Sequence, residues 1–117
     1  MAADGITRID KKILPNYATS HIVTLENNNF NISEEYNGCI FVCNNTQEIT
    51  LTLPIENITD TIEIEIVKWN EGNIKITPTK ALDIDIGNTV TIEDRYGVAV
   101  CKYFPGLGWL TTGNIEV

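Results

Sequence analysis

Short segments that alternate apolar and polar residues recur along this chain from His21 onward. A period of two places successive side chains on opposite faces of a β-strand, so each segment has one face suited to a core. Asn, Gly, Pro and acidic residues separate the segments, and these residues favour turns. The pattern therefore predicts an all-β protein built from many short strands.

About ten strands are expected, near residues 21–25, 30–32, 39–43, 48–53, 61–68, 73–77, 82–86, 89–93, 97–103 and 108–112. So many short strands in so short a chain are typical of an antiparallel sandwich or a jelly-roll-like domain. The composition agrees, because 18 isoleucines and 14 threonines, which favour strands, far outnumber 7 leucines and 5 alanines.

One face of each central segment is consistently apolar, which predicts the side chains of the core. The expected inward rows are Ile49, Leu51 and Leu53; Ile62, Ile64 and Ile66; Ile74 and Ile76; Leu82, Ile84 and Ile86; Val90 and Ile92; Val98 and Val100. Thr, Glu, Lys and Asp dominate the opposite faces, which is typical of antiparallel sheets with one face in water.

Residues 1–20 differ from the rest of the chain in charge and pattern. Three isoleucines recur there at spacings of three and four before Pro15, which suits one amphipathic turn or an arm lying on a partner. Three basic and two acidic residues give this segment a charge of +1. Residues 21–117 therefore carry a charge of −9, and the two parts together give the net charge of −8. We therefore predict an N-terminal attachment arm, residues 1–20, and one all-β domain, residues 21–117. The residues expected to bind the partner are Ile6, Arg8, Ile9, Lys11, Lys12, Ile13 and Leu14.

The net charge of −8 repels phosphate backbones and anionic lipid headgroups, so neither nucleic acid nor a membrane is an expected partner. No apolar run approaches the roughly 18 to 20 residues that a membrane-spanning helix needs. The N-terminus also lacks the basic and apolar regions of a secretion signal. We expect a soluble protein made in the cytoplasm.

The three cysteines, Cys39, Cys43 and Cys101, are an odd number for a disulfide framework. With one histidine in the chain they also make a poor zinc site. Cys39 and Cys43 lie on one predicted strand, roughly 13 Å apart, so they cannot pair with each other. A bridge from Cys101 to one of them stays open, although burial as reduced thiols is favoured.

Residues suited to catalysis are few. His21 is the only histidine, and neither serine lies in a nucleophile motif. Two carboxylate pairs have the residue types of a glycosidase site, Glu63 with Glu65 and Asp83 with Asp85. Carboxylates two residues apart on the solvent-exposed face of a strand usually serve only to keep the protein soluble. Asp83 and Asp85 also suit calcium, although no complete calcium loop surrounds them. The sequence predicts no enzyme and no cofactor, and leaves calcium binding open.

Aromatic residues late in the chain suggest a glycan-binding platform, because aromatic faces pack against the C–H faces of sugar rings. The candidates are Trp69, Tyr96, Tyr103 and Trp109. Phe104 is considered with them. The favoured alternative for the whole set is a place in the core or in a subunit interface, as at Trp109, which closes the end of a predicted strand pair.

Several segments between residues 38 and 110 follow one another in a distinctive order. They are the strand 39–43 with its Asn-rich turn, the row 49–54 ending in proline, the strands 60–68 and 72–78, the segment 82–92, and Gly108-Trp109-Leu110. In this order they resemble a small β-rich domain that recurs in bacteriophage tail fibres, head fibres and other virion appendages. The turn Ile84-Asp85-Ile86-Gly87 and the three cysteines depart from the pattern of that family.

The resemblance covers about 73 of the 117 residues and includes no catalytic signature. Members of this group are commonly homotrimeric structural or host-contacting proteins. The resemblance thus implies a non-enzymatic structural protein of a virion assembled in the host cytoplasm, namely a capsid decoration, head-fibre or small tail component. We expect a homotrimer whose arm binds a capsid or tail protein of the same virion. The alternative is a receptor-binding module of a phage fibre that recognises a host surface glycan.

Overall fold

The computed structural model describes residues 21–84 and 86–117, so the predicted N-terminal arm, residues 1–20, lies outside the described residues. The described part of the chain is all-β, as predicted, and contains nine strands. They are β1 (Ile22–Leu25), β2 (Asn29–Asn31), β3 (Ile40–Cys43), β4 (Ile49–Thr52), β5 (Ile62–Lys68), β6 (Ile74–Thr77), β7 (Val90–Ile92), β8 (Val98–Phe104) and β9 (Gly108–Gly113). One turn of 3-10 helix, Glu34–Tyr36, precedes β3.

Consecutive strands alternate between two sheets over the first two thirds of the fold. β1, β3 and β5 lie parallel to one another in one sheet, and β2, β4 and β6 lie parallel in the other. One coil consists of an odd strand, its tight turn, the next even strand and the return loop. Successive coils stack on one another, as in β-solenoid proteins. β8 and β9 add antiparallel strands to the first sheet, in the order β1-β3-β5-β8-β9, and β7 adds one to the second, in the order β2-β4-β6-β7.

Asparagine side chains join the tight turns of successive coils. The side-chain amide of Asn45 donates a 2.8 Å hydrogen bond to the backbone carbonyl of Glu26 in the preceding turn. The amide of Asn70 in the following turn donates to Oδ1 of Asn44 at 3.0 Å. Gly72 packs so closely on the turn around Asn45 that a Cβ atom would overlap backbone atoms there. The turns therefore stack because their residues are small or carry amides that satisfy backbone groups between coils.

The inner faces of both sheets form one hydrophobic core. The inward rows predicted for β4 to β7 are confirmed, and their buried members are Ile49, Leu51, Leu53, Ile62, Ile64, Ile66, Ile74, Ile76, Val90 and Ile92. Phe41 adds the largest fully buried side chain from β3. Alternation identified this core because an inward residue on a strand must be apolar wherever two sheets cover it.

The two packed sheets agree with the predicted sandwich, but the predicted antiparallel pairing throughout is wrong. Four of the seven strand pairings in the described residues are parallel, so both sheets are mixed. An alternating pattern specifies which side chains face inward but not which strand lies alongside. Neighbours are determined by the loops, which here carry the chain from one sheet to the other and back.

The tenth predicted strand, residues 82–86, is also wrong. Leu82 and Ile86 are 84% and 94% exposed, while Ile84 is only partly buried. Asp83 has φ of 70°, a left-handed backbone that breaks an extended strand. The apolar residues of this loop follow the period of a strand, but among residues 21–84 and 86–117 they pair with no strand.

The predicted inward row of β8 is wrong by one residue. Val98 and Val100 face outward, whereas Ala99, Cys101 and Tyr103 face the core. A one-residue shift exchanges the two faces of a strand. Here the error arose because β8 is apolar on both faces, so its sequence does not distinguish them.

We predict that Leu51→Ala strongly destabilises the fold, whereas Leu82→Ala has almost no effect on stability. The sequence placed both leucines in the core. Leu51 is fully buried, so its truncation should lower the free energy of unfolding by about 2–5 kcal/mol. Leu82 is exposed, so its truncation should change that energy by less than about 0.5 kcal/mol. Urea denaturation measures both, and a large effect at Leu82 would contradict the placement of this loop.

Candidate interaction surface

The two sheets have very different outer faces. The outward positions of the described four-stranded sheet hold no aliphatic side chain, and they are Asn29, Asn31, Thr50, Thr52, Lys75, Thr77 and Thr91. The outward positions of the five-stranded sheet are mostly apolar. We call the following set the apolar sheet face: Ile22, Ile40, Val42, Val67, Val98, Val100, Phe104 and Leu110.

The strand register places these side chains in adjoining rows. Val42, Val67 and Val98 are direct neighbours on β3, β5 and β8. The next row across the sheet is Ile22, Ile40, Glu65 and Val100. The aliphatic side chains of these two rows therefore adjoin, with Glu65 between Ile40 and Val100. Leu110 continues the next row after the Glu63 and Lys102 pair, and Phe104 lies beyond that row.

An aromatic pair continues this patch beyond the strand ends. Trp69 follows Val67 by two residues and so extends its outward row, and the Tyr96 ring, from the turn before β8, packs against Trp69. Their ring centroids are 5.2 Å apart in an edge-to-face arrangement, and they are 51% and 56% exposed. The guanidinium of Arg95 lies 5.1 Å from the Tyr96 ring centroid. The apolar sheet face thus ends in a Trp, Tyr and Arg cluster.

The backbone of Tyr96 is held in an unusual conformation. Its φ of 68° lies in the left-handed region, which costs a residue other than glycine about 1–2 kcal/mol. The amide of Tyr96 donates to the carbonyl of Lys68 at 2.7 Å, and the amide of Gly97 closes the turn onto Asp94 at 2.9 Å. Strained residues of this kind cluster at functional positions. The turn therefore uses an unfavourable conformation to keep an exposed aromatic ring beside Trp69.

The other two predicted glycan-binding residues lie on the inner side of the sheet. Tyr103 and Trp109 are buried, with ring centroids 5.4 Å apart. The indole N–H of Trp109 donates a 2.6 Å hydrogen bond to the backbone carbonyl of Pro54 after β4. The structure thus brings Trp69 and Tyr96 together and places Tyr103 and Trp109 in the core, so the four do not form one platform.

Charges are few on the apolar sheet face and carry both signs. Glu63 and Lys102 are directly opposite each other, with Oε1 and Nζ 3.6 Å apart. Glu65, two residues further along β5, is partly buried between Ile40 and Val100. These three residues give the face a net charge of −1, in a body that carries −9.

A buried lysine supports the aromatic cluster from below. Lys68 faces inward at the end of β5 and is almost fully buried. Its ammonium donates to Oδ1 of Asn73 at 3.0 Å and to the backbone carbonyl of Glu93. It therefore joins the turn after β5 to the turn after β7, which carry Trp69 and Tyr96. The sequence pattern did not indicate this role, because lysine is seldom buried.

The three cysteines are buried free thiols. Burial raises the pKa of Cys43 to about 12 and that of Cys39 above its ordinary value. Burial also raises the pKa of Cys101 to about 11, although the hydroxyl of Thr111, which donates to its sulfur at 3.2 Å, opposes the shift. The sequence-based preference for buried reduced thiols is confirmed.

The remaining candidates do not gather into a site. His21 is exposed beside β1, and Asp83 lies in the loop after β6, while Asp85 lies outside the described residues. The predicted partner-binding residues Ile6 to Leu14 also lie outside them. Among residues 21–84 and 86–117, no group of three or more His, Cys, Asp or Glu side chains is placed to hold a metal ion.

The apolar sheet face itself was missed from the sequence. The available signal was the unbroken apolar runs 40–43 and 98–101, since a strand that is apolar on both faces is covered on both. The even strands β4 and β6 show strict alternation instead. The contrast between the unbroken runs of β3 and β8 and the alternation of β4 and β6 indicates the two outer faces, although β5 of the first sheet also alternates through Glu63 and Glu65.

In comparison with known proteins, the chain matches no protein-family model, and no curated protein is significantly similar to it. No helix in the described part of the chain is long and apolar enough to cross a membrane.

We predict that a thiol reagent at pH 8 labels none of the three cysteines in the folded protein and all three after unfolding. Buried thiols whose pKa values are raised hold almost no reactive thiolate at that pH. Because the folded protein retains these protons above the ordinary pKa of 9.0, the free energy of unfolding should fall as pH rises above about 9. Mass spectrometry of labelled protein checks the first point, and rapid labelling of a native thiol would contradict it.

Proposed function

We propose that this protein is a non-enzymatic structural protein of a bacteriophage virion, as a capsid decoration, head-fibre or small tail component. The ordered resemblance of residues 38–110 to a domain of virion appendages supports the virion class. The observation that carries the structural role is the apolar sheet face. Two adjoining rows of aliphatic side chains that end at exposed Trp69 and Tyr96 are more than isolated surface residues, and such patches mark contacts between protein chains.

The proposed protein is a homotrimer that the arm attaches to a capsid or tail protein of the same virion. The difference in charge between the arm, +1, and the body, −9, supports two surfaces with different partners. The apolar residues of the arm, Ile6, Ile9, Ile13 and Leu14, are the proposed anchors, with Arg8, Lys11 and Lys12 facing acidic or carbonyl groups of the partner. The proposed location is the virion, after assembly in the host cytoplasm.

A second candidate function is recognition of a host glycan by Trp69 and Tyr96. The edge-to-face pair supports it, because both rings are about half exposed and aromatic rings pack on sugars. A glycan array with the purified protein tests this candidate. Binding at millimolar or lower concentration that is lost in Trp69→Ala would favour the receptor-binding module over the purely structural role.

We predict that deleting residues 1–14 leaves the β body folded and associated but prevents its incorporation into particles. The body keeps its own core without the arm, whereas the proposed anchors are lost. Circular dichroism and light scattering check the body, and the protein content of purified particles measures incorporation. The control is Thr52→Ala on the polar face of the other sheet, which should be incorporated normally.

Normal incorporation of the truncated protein would show that the attachment site lies on the body. Unfolding of the truncated protein would show that the arm belongs to the domain itself. Either result would overturn the proposed division between arm and body.

A further inference from the structure

We infer that the apolar sheet face, extended by Trp69 and Tyr96, is the surface through which copies of this chain associate. The inference rests on the proposed homo-oligomer and assigns its contact surface and anchoring residues. A second copy of the chain is the occupant that size, charge and composition favour.

The size of the face requires a broad partner. Four strand spacings make the sheet about 19 Å wide, and the seven residues of β8 are about 23 Å long, so the flat face measures about 400 Å². A standard interface takes about 800 Å² from each partner, so the whole face and its aromatic end must take part. Residues 6–14, even as a helix about 14 Å long and 10 Å wide, would cover about a third of the flat face. In the proposed trimer the face of each copy turns towards the threefold axis and meets the equally broad faces of both neighbours.

The distribution of charge also favours a second copy. Bodies that each carry −9 repel one another, so they can associate only through a surface on which charge is nearly absent. The apolar sheet face is such a surface, since its charged residues are Glu63, Glu65 and Lys102. Lys102 is about half exposed and can accept Glu65 of a neighbouring copy as a partner, so each copy brings both signs to the contact.

The aromatic end has the composition of an interface anchor. Trp, Tyr and Arg are the residues that most often dominate binding energy between proteins. Here Trp69, Tyr96 and Arg95 form one cluster whose rings are about half exposed. Burying these rings in a neighbouring copy also explains why Tyr96 is held in a left-handed conformation that points its ring outward beside Trp69.

The test uses the full chain and a matched pair of substitutions. Val67→Glu places a carboxylate in the centre of the apolar sheet face, on the central strand β5. Thr50→Glu places the same group on β4, an inner strand of the four-stranded sheet, at an outward position that is buried to a similar degree. Sedimentation or light scattering across micromolar concentrations gives the mass, and circular dichroism gives the fold.

We predict that the wild type and Thr50→Glu share one oligomeric mass, whereas folded Val67→Glu falls to the 13.0 kDa monomer. Trp69→Ala removes an exposed ring without disturbing the core, so it should fold normally and raise the dissociation constant about tenfold or more. This variant tests the inference even if Val67→Glu does not fold.

Three results would overturn the inference. The first is an unchanged mass and dissociation constant in Val67→Glu and Trp69→Ala. The second is equal dissociation by Thr50→Glu. The third is a monomeric mass of the wild type, which would also remove the proposed homotrimer. If only deletion of residues 1–14 dissociates the protein, the arm joins the copies; the oligomer of the proposed function then stands while this assignment fails.

Discussion

The alternation of consecutive strands between two sheets is the constraint on which the rest of the structure depends. Because the chain changes sheet at every tight turn, strands two apart become parallel neighbours, and the turns after β1, β3 and β5 fall on one edge. Turns that stack must satisfy one another's polar groups: the side-chain amide of Asn45 donates to the backbone carbonyl of Glu26, and that of Asn70 donates to the side-chain oxygen of Asn44. The abundance of asparagine in this chain follows in part from this stacking.

The same alternation gives each sheet an outer face of its own. Odd strands supply every outward side chain of one parallel set, and even strands supply those of the other. Val42 and Val67 are therefore neighbours although 25 residues separate them in sequence, while Thr50 and Lys75 are neighbours on the opposite surface. A largely apolar outer face and a polar outer face are therefore encoded in alternate segments of one chain.

The sequence predicted the parts of the fold that depend on one strand at a time. The buried rows of β4 to β7 were correct because a residue covered by a second sheet must be apolar, and their outward partners are polar. Parallel pairing was not predictable, since it depends on the route of the return loops. Residues 82–86 show the limit of periodicity: Leu82 and Ile86 have the spacing of a strand but pair with none of the described strands.

The candidate surface was partly visible in the sequence. The sequence offered Trp69 and Tyr96 as candidate glycan-binding residues, but their proximity to Val67 and Val98 depends on the antiparallel register of β5 and β8. Val98 and Val100 were assigned to the core because an apolar side chain is equally suited to a core and to a contact with another chain. The burial of Ala99 and Cys101 shows that the other side of β8 faces the core, and Val98 and Val100 therefore lie on the outer face.

The coil arrangement also has a consequence for how the length of such a body can change. Ile22 pairs with Ile40, and Ile40 pairs with Glu65, so equivalent positions recur after 18 and then 25 residues. Adding or removing one complete coil would leave the ladders between the remaining coils intact and change the body by one strand spacing, about 4.8 Å. The length of the loops within a coil is free to vary. The antiparallel strands β7 to β9, in contrast, end the stack and occur once. Such a body can be lengthened in fixed steps ahead of a constant terminal cap.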